Sequence, residues 1–143
     1  HETGAISTEP LNHQLMVDTR EKKVNNVSQI IPDLKVEGNV DADLLVIGWG
    51  GTHGHLMSAV NFMNKNGQKI ALAHFNYINP LPKNTVEVIQ RYKKVVVCEL
   101  NSGQFANLLR SKVAGVVFLQ YNKVEGQPFT VAELEECFNE LLK

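Results

Sequence analysis

This sequence has few cysteines, no long apolar run and no large excess of one charge. It has 2 cysteines among 143 residues and a formal net charge of −1. Such a balance gives no electrostatic footprint for nucleic acid or an anionic membrane surface, so we predict neither partner. No apolar run approaches the roughly 20 residues that cross a bilayer, and there is no basic-then-apolar signal pattern at the start. We therefore expect a cytoplasmic protein. Because the first residue is His1 and not Met, we expect a fragment of a longer polypeptide or a processed end, and we treat the chain as a cut-out domain.

Several ligand-binding motifs are also missing. No Gly-Lys-Ser/Thr occurs, which excludes a P-loop. The glycines from Gly48 to Gly54 do not match the dinucleotide pattern, because the last one comes one place too late and His53 occupies the position of close helix–strand approach. The predicted second strand ends at Phe75 without the acidic residue that would bind a ribose. We therefore predict no site for NAD or FAD.

The central feature that is present is an apolar run followed by a glycine-rich turn. Residues Leu44 to Ile47 read as a strand buried on both faces, and the apolar residues between Thr52 and Asn66 recur at helical spacing. A strand, a glycine turn and a helix in this order leave backbone amides open at the helix N-terminus, where an anion can bind. The candidate residues for such a site are Gly50, Gly51, Thr52 and His53.

The rest of the chain repeats the alternation of strand and helix. Further strands are predicted at 69–75, 95–98 and 115–121, and further helices at 84–92, 104–112 and 130–142. We predict an α/β fold of three layers with a mostly parallel, Rossmann-like sheet. Residues 33–143 would form this domain, with 33–42 as a loop, and residues 1–32 would be a lead-in and a connecting helix from Pro10 to Ile31. That helix either packs on its own sheet or docks on a neighbouring domain.

Parallel strands bring their carboxyl ends to one edge of the sheet, where ligands of such folds bind. The loops at 48–55, 76–82, 99–104 and 122–128 should therefore share that edge. Besides the glycine turn, the candidate ligand or interface residues there are Asn79, Glu99, Asn101 and Gln104. Polar residues directly after a buried strand either cap the next helix or reach a ligand or partner, and the sequence leaves both open.

Histidines and a cysteine near this edge invite a metal or a nucleophile interpretation. The spacing of His53, His55, His74, Cys98 and Glu99 matches no standard zinc pattern, so we predict no metal site. Cys98 ends a run of valines, where a small apolar side chain is the usual explanation. We predict no catalytic residue in this chain.

Three motifs give the chain a resemblance to a known family. They are Asn79 to Asn84, Glu99 to Gln104 and Lys123 to Phe129, and the segments from His1 to Gly4 and from Pro10 to His13 agree with them. Together they resemble the C-terminal domain of the alpha subunit of 2-oxoacid:ferredoxin oxidoreductases, most closely the 2-oxoglutarate type. The resemblance covers essentially the whole chain, and it departs from the family at Glu9, where a better helix cap is common.

The resemblance implies one part of an enzyme complex. Such enzymes oxidatively decarboxylate a 2-oxoacid with thiamine diphosphate, magnesium and an iron–sulfur cluster, and pass the acyl group to coenzyme A and electrons to ferredoxin. The second domain of the alpha subunit is similar to the transketolase C-terminal domain and does not itself hold the thiamine. The chain agrees, since it has no Gly-Asp-Gly motif and no cysteine cluster. No cofactor is expected in this fragment.

Three functions follow as hypotheses. In the first, the chain is a structural domain whose strand-end loops contact the beta subunit or the first domain of the alpha subunit. In the second, the glycine turn binds an anion such as a coenzyme A phosphate. In the third, the edge is a surface through which the chain self-associates.

Overall fold

The structure, a computed structural model, describes residues 3–143. The first two residues of the resembling His1–Gly4 segment lie outside the described residues. Five helices and five strands alternate along most of the chain. The helices are α1 Pro10–Asn26, α2 His53–Lys65, α3 Thr85–Gln90, α4 Gln104–Lys112 and α5 Val131–Leu142, and the strands are β1 Val36–Gly38, β2 Leu44–Trp49, β3 Ile70–Phe75, β4 Val95–Glu99 and β5 Phe118–Asn122.

One sheet with strand order β1-β3-β2-β4-β5 forms the middle of the molecule. Strands β2 to β5 pair in parallel, and β1 pairs with β3 in the antiparallel direction. The predicted mostly parallel sheet is confirmed. The prediction of a loop throughout 33–42 is wrong at β1, a strand of only three residues without an apolar run to indicate it.

Two apolar cores, one on each face of the sheet, give the predicted three layers. On one face, Ile89 of α3 and Phe105 and Leu109 of α4 pack on the sheet. On the other face, Leu56 and Val60 of α2 pack with the buried side chains of α5. Apolar side chains that alternate along β2 point into the two cores in turn, which is why its run is apolar at every position.

Some predicted boundaries and buried positions change. Strand β2 continues through Gly48 to Trp49, and β5 begins at Phe118 rather than at Gly115. Val117, which lies within the predicted strand 115–121, is 79% exposed because it precedes the pairing with β4. Of the valines in α3, Val88 is buried and Val86 is exposed.

Helix α1 does not pack on the sheet. It ends at Asn26, a 3₁₀ turn covers Val27–Gln29, and none of its residues is buried. Leu11 is 79% exposed. Leu15 and Val24 are roughly two and a half turns apart and therefore lie on opposite sides, so the apolar residues form no single stripe. Of the two interpretations of this helix, packing on its own sheet does not hold, and docking on a neighbouring domain stays a prediction.

No helix in the described part of the chain has the length and apolar character that crossing a bilayer requires.

Candidate functional site

The carboxyl ends of the four parallel strands lie along one edge, as the alternation of elements predicts. Trp49 of β2 is in register with Phe75 of β3, and Glu99 of β4 is in register with Asn122 of β5. Three helices, α2, α4 and α5, begin just beyond this edge. Their N-termini differ in how their first amides are satisfied.

Glu99 turns inward and caps α4. The residue is fully buried. Its Oε1 accepts hydrogen bonds from the Phe105 amide at 2.8 Å and the indole Nε1 of Trp49 at 3.2 Å. Its Oε2 accepts one from the Ala106 amide at 3.0 Å. A buried carboxylate that receives several donors at a helix N-terminus is well stabilised, so Glu99 positions two strand ends and one helix.

Asn101 completes the cap of α4. Its side-chain oxygen accepts from the Gly103 amide at 2.7 Å and its side-chain nitrogen donates to Glu99 at 3.2 Å. Gly103 has φ of +92°, a left-handed conformation that favours glycine, and a Cβ there would also displace the side-chain nitrogen of Gln120, which lies 2.1 Å away. Gln104 is exposed on the first turn of the helix. The capping interpretation of Asn101 therefore has a geometric basis.

The glycine turn has the opposite character. Gly50–Thr52 form a 3₁₀ turn, and α2 starts at His53 without a side-chain cap. The space around Gly50 and Gly51 is open, since a Cβ at either would meet no atom within 4 Å. Thr52 is buried, and its hydroxyl donates to the Trp49 carbonyl at 2.9 Å. The solvent-accessible part of the turn is therefore the backbone of its glycines. The Thr52 hydroxyl is not available to a ligand, because it is hydrogen-bonded within the turn.

The close helix–strand approach in this unit is at Gly48. A Cβ there would lie 2.2 Å from Leu56 and 2.8 Å from the Thr52 hydroxyl. The dinucleotide pattern would place this approach at His53, which instead is exposed at the start of α2. The glycine that matters for packing is therefore the one at the end of the strand.

Two histidines and a glutamate meet beside the glycine turn. Nε2 of His53 lies 3.0 Å from Oε1 of Glu37 on β1, and the His53 and His74 rings contact edge to face with centroids 4.9 Å apart. Burial, and next the charge of His53, lower the pKa of His74, against smaller raising contributions from Gly50, Glu37 and Asn76. A neutral His74 follows at pH 7. Glu37, His53 and His74 line a cavity of about 600 Å³. Asp33 and Lys35 also line it, so its wall carries both negative and positive side chains.

Asn79 lies away from the other candidates. It lines a separate cavity of about 310 Å³ with Leu108 and Lys112 of α4 and the end of the α1 segment. Both α4 and α1 reach this cavity with their C-terminal ends, which carry partial negative charge. The structure therefore does not bring Asn79 together with the glycine turn or with Glu99.

Lys123 and Glu133 fix the third junction, between β5 and α5. The Lys123 ammonium donates to Glu133 at 2.8 Å, and Thr130 and Glu133 form a capping box. The hydrogen bond from Lys123, followed by those from Thr130, lowers the pKa of Glu133 to about 2. Thr130 as a cap was predictable. The Thr-x-x-Glu spacing is also the sequence signal for the reciprocal bond from Glu133.

Apolar side chains remain exposed on the same edge. Tyr77 after β3, Leu100 after β4 and Val124 after β5 are 45%, 40% and 68% exposed. They come from three different loops. Among residues 3–143 no group of three or more His, Cys, Asp or Glu side chains is arranged to bind a metal. Burial raises the pKa of the Cys98 thiol well above its usual range, which keeps it protonated and unsuited to act as a nucleophile.

Residues 42–134 match the family described as pyruvate:ferredoxin oxidoreductase core domain II. The chain belongs to this family. The match begins just before β2 and ends within α5, so it includes the whole parallel part of the sheet and all three helix N-termini at its carboxyl edge. Helix α1 and strand β1 lie before the matched range.

Characterised relatives of this core domain II chain are alpha-type subunits. The chain is 44% identical over 133 residues to the 2-oxoglutarate oxidoreductase subunit KorA of Mycobacterium tuberculosis, covering 92% of this chain and 20% of that one. It is 31% identical over 142 residues to the alpha subunit of 2-oxoacid:ferredoxin oxidoreductase 1 of Aeropyrum pernix, covering 94% and 22%. The chain thus spans about a fifth of the length of these relatives.

Solved structures agree on the fold. A structure of 2-oxoglutarate:ferredoxin oxidoreductase from Magnetococcus marinus, with 2-oxoglutarate, coenzyme A and succinyl-CoA bound, superposes with a TM-score of 0.86 at 29% identity. It covers 100% of this chain and 25% of its own. An inactive tetramer of a split-gene transketolase superposes with a TM-score of 0.58 at 11% identity, over 78% of this chain and 42% of its own. The predicted likeness to the transketolase C-terminal fold is confirmed.

Proposed function

We propose that residues 33–143 are a structural and assembly domain of a thiamine-diphosphate-dependent 2-oxoacid:ferredoxin oxidoreductase, and that residues 1–32 are its lead-in and connecting helix. The complex would convert a 2-oxoacid and coenzyme A to acyl-CoA and CO₂ while reducing ferredoxin. Similarity to the KorA subunit and to the Magnetococcus marinus enzyme supports 2-oxoglutarate as the substrate. The cytoplasm is the proposed location.

The observation that carries the assembly role is the way the carboxyl edge uses its side chains. Polar side chains at this edge make hydrogen bonds within the domain that fix strands and helices, as in Glu99, Asn101 and Thr52. The exposed apolar groups Tyr77, Leu100 and Val124 project from the loops beside them. An edge that is internally fixed and apolar at its tips suits contact with the beta subunit or the first domain of the alpha subunit.

The catalytic groups belong elsewhere in such a complex. Magnesium and an iron–sulfur cluster need several acidic, amide or thiolate ligands, and residues 3–143 bring no such set together. Residues 3–143 therefore supply no ligand set of their own for either metal group. We place thiamine diphosphate, magnesium, the iron–sulfur cluster and the ferredoxin contact on other parts of the enzyme.

The test uses the complete enzyme, with a charge introduced at the edge. We expect Leu100→Glu and Val124→Glu to reduce the fraction of assembled complex in sedimentation velocity by roughly five-fold or more, since a desolvated charge costs more than about 1 kcal/mol at an interface. Val117→Glu is the matched control, because Val117 is an exposed valine at the opposite edge. Equal assembly of all three variants and the parent enzyme would exclude the proposal.

A coenzyme A phosphate at the glycine turn remains the alternative. The open space at Gly50 and Gly51 and the uncapped start of α2 favour it, while Asp33 and Glu37 in the neighbouring cavity oppose an anion. Thr52 is buried, so Gly51→Glu is the cleaner probe. A several-fold rise in the Michaelis constant for coenzyme A, with assembly unchanged, would favour the alternative over the assembly role.

A further inference from the structure

The group of Glu37, His53 and His74 joins three elements at this corner, of which β1 is the short edge strand. Glu37 belongs to β1, whose three residues pair only with β3. His53 begins α2, directly after the glycine turn, and His74 is the next-to-last residue of β3. The bond of 3.0 Å between His53 and Glu37 is therefore a side-chain tie between the edge strand and the turn.

This group contains two imidazoles but only one carboxylate. The ring centroids of His53 and His74 are 4.9 Å apart, and Nε2 of His74 is buried without a hydrogen-bond partner in the described part of the chain. One imidazolium can pair with Glu37. A second would place two positive charges side by side, with one N–H buried and unpaired.

No other charged or titratable group that the structure describes at this corner supplies a second carboxylate for the two imidazoles. Asp33 and Lys35 line the same cavity from the segment before β1, and Tyr77 lines it from the loop after β3. The Asp33 carboxylate lies 3.8 Å from the Lys83 ammonium and is thus already beside a cation. Glu37 is the carboxylate whose charge acts on His74.

We propose that Glu37, His53 and His74 form a proton-sensitive tie, which holds β1 against the glycine turn while the histidine pair carries at most one positive charge and releases it when both imidazoles are protonated. Two coupled sites of this kind take up their protons in two separate steps. The first step strengthens the pairing with Glu37. The second step opens it, so the edge strand loosens only on the acidic side.

The experiment is a pH titration of the full 143-residue chain. Imidazole Cε1–H signals in NMR spectra would follow each histidine, with His13 and His55 as references. Hydrogen exchange of the Glu37 and Asn39 amides, which point toward β3, would report on β1 after correction for the intrinsic rate. Between pH 7 and pH 5 we expect their protection to fall about ten-fold per unit of pH once the second proton binds, while that of Leu45 in the central strand stays constant.

Substitutions separate this tie from a general acid effect. His74→Phe keeps an aromatic ring and removes the second proton, so β1 protection should become independent of pH in this range. His53→Gln removes the charge conflict from the other side and should have the same consequence, which keeps the test valid if His74→Phe does not fold. His55→Phe is the control and should behave like the parent chain. Constant β1 protection in the parent, or an equal fall in His74→Phe and the parent, would overturn the proposal.

Discussion

Helices α4 and α2 both begin at the carboxyl edge of the same sheet, yet their first turns are satisfied in different ways. In α4 the amides of Phe105 and Ala106 bind the buried carboxylate of Glu99. In α2 no side chain caps the first turn, and two open glycines precede it. One junction is closed by the chain itself, and the other is left accessible.

The difference shows that a helix N-terminus in an α/β fold is not by itself a ligand site. A carboxylate from the preceding strand can occupy it and then serves stability. The junction before α5 is intermediate, because its carboxylate, Glu133, lies on the helix and is partly exposed. Stability and accessibility should therefore respond differently to substitution at the three junctions.

Removing the carboxylate of Glu99 should have the largest effect. In Glu99→Ala, buried amides of α4 and the indole of Trp49 lose their acceptor, and we expect the free energy of unfolding to fall by roughly 3 kcal/mol. Urea denaturation followed by circular dichroism measures it. Glu136→Ala, an exposed glutamate of α5, is the control and should change stability by less than about 0.5 kcal/mol. Similar values for both variants would mean that the buried cap is not a source of stability.

Replacing glycine by alanine at the end of β2 should have the next largest effect on stability, whereas the same change in the following turn should have almost none. Gly48→Ala forces a Cβ against Leu56 and Thr52, so we expect a loss of about 2 kcal/mol. Gly51→Ala points into open space, and its stability should stay within about 0.5 kcal/mol of the parent chain. Thermal unfolding of the pair measures the contrast. A large loss in Gly51→Ala would show that the turn is not open.

Breaking the capping box of α5 should have the smallest effect at neutral pH. Thr130→Ala removes the acceptor for the Glu133 amide, and we expect the free energy of unfolding to fall by about 1 kcal/mol.

The same junction predicts that stability depends on pH in the acidic range. Because the pKa of Glu133 is lowered to about 2 in the folded chain, its stabilising contribution is complete above its ordinary value and disappears as the pH falls toward 2.

The acid dependence due to Glu133 is tested by measuring the free energy of unfolding as a function of pH. Chemical denaturation between pH 6 and pH 2 should show a decline in the parent chain, and Glu133→Gln should flatten part of it. Glu135→Gln on the same helix is the control. If both glutamine variants declined like the parent, the bond between Lys123 and Glu133 would not contribute in the folded state.

The parallel sheet and its helices were predictable because apolar runs and helical spacing are local signals. Strand β1 was not, since its three residues gain their pairing from β3 and show no pattern of their own. The inward orientation of the Glu99 side chain could not be predicted either. Its partner Trp49 is far away in the sequence, and the local pattern of a polar residue after a strand is the same for either orientation. For α1, the apolar residues do not fall on one side of the helix, so their pattern does not predict a packing partner.

The hydrogen bond between Trp49 and Glu99 has an optical consequence. Trp49 is the single tryptophan of the sequence, and its indole N–H donates to a fully buried carboxylate. We therefore expect its emission to change when this hydrogen bond breaks or when the ends of β2 and β4 separate. Intrinsic fluorescence offers a label-free reading of this one corner of the molecule, within the isolated chain and after it joins its neighbours.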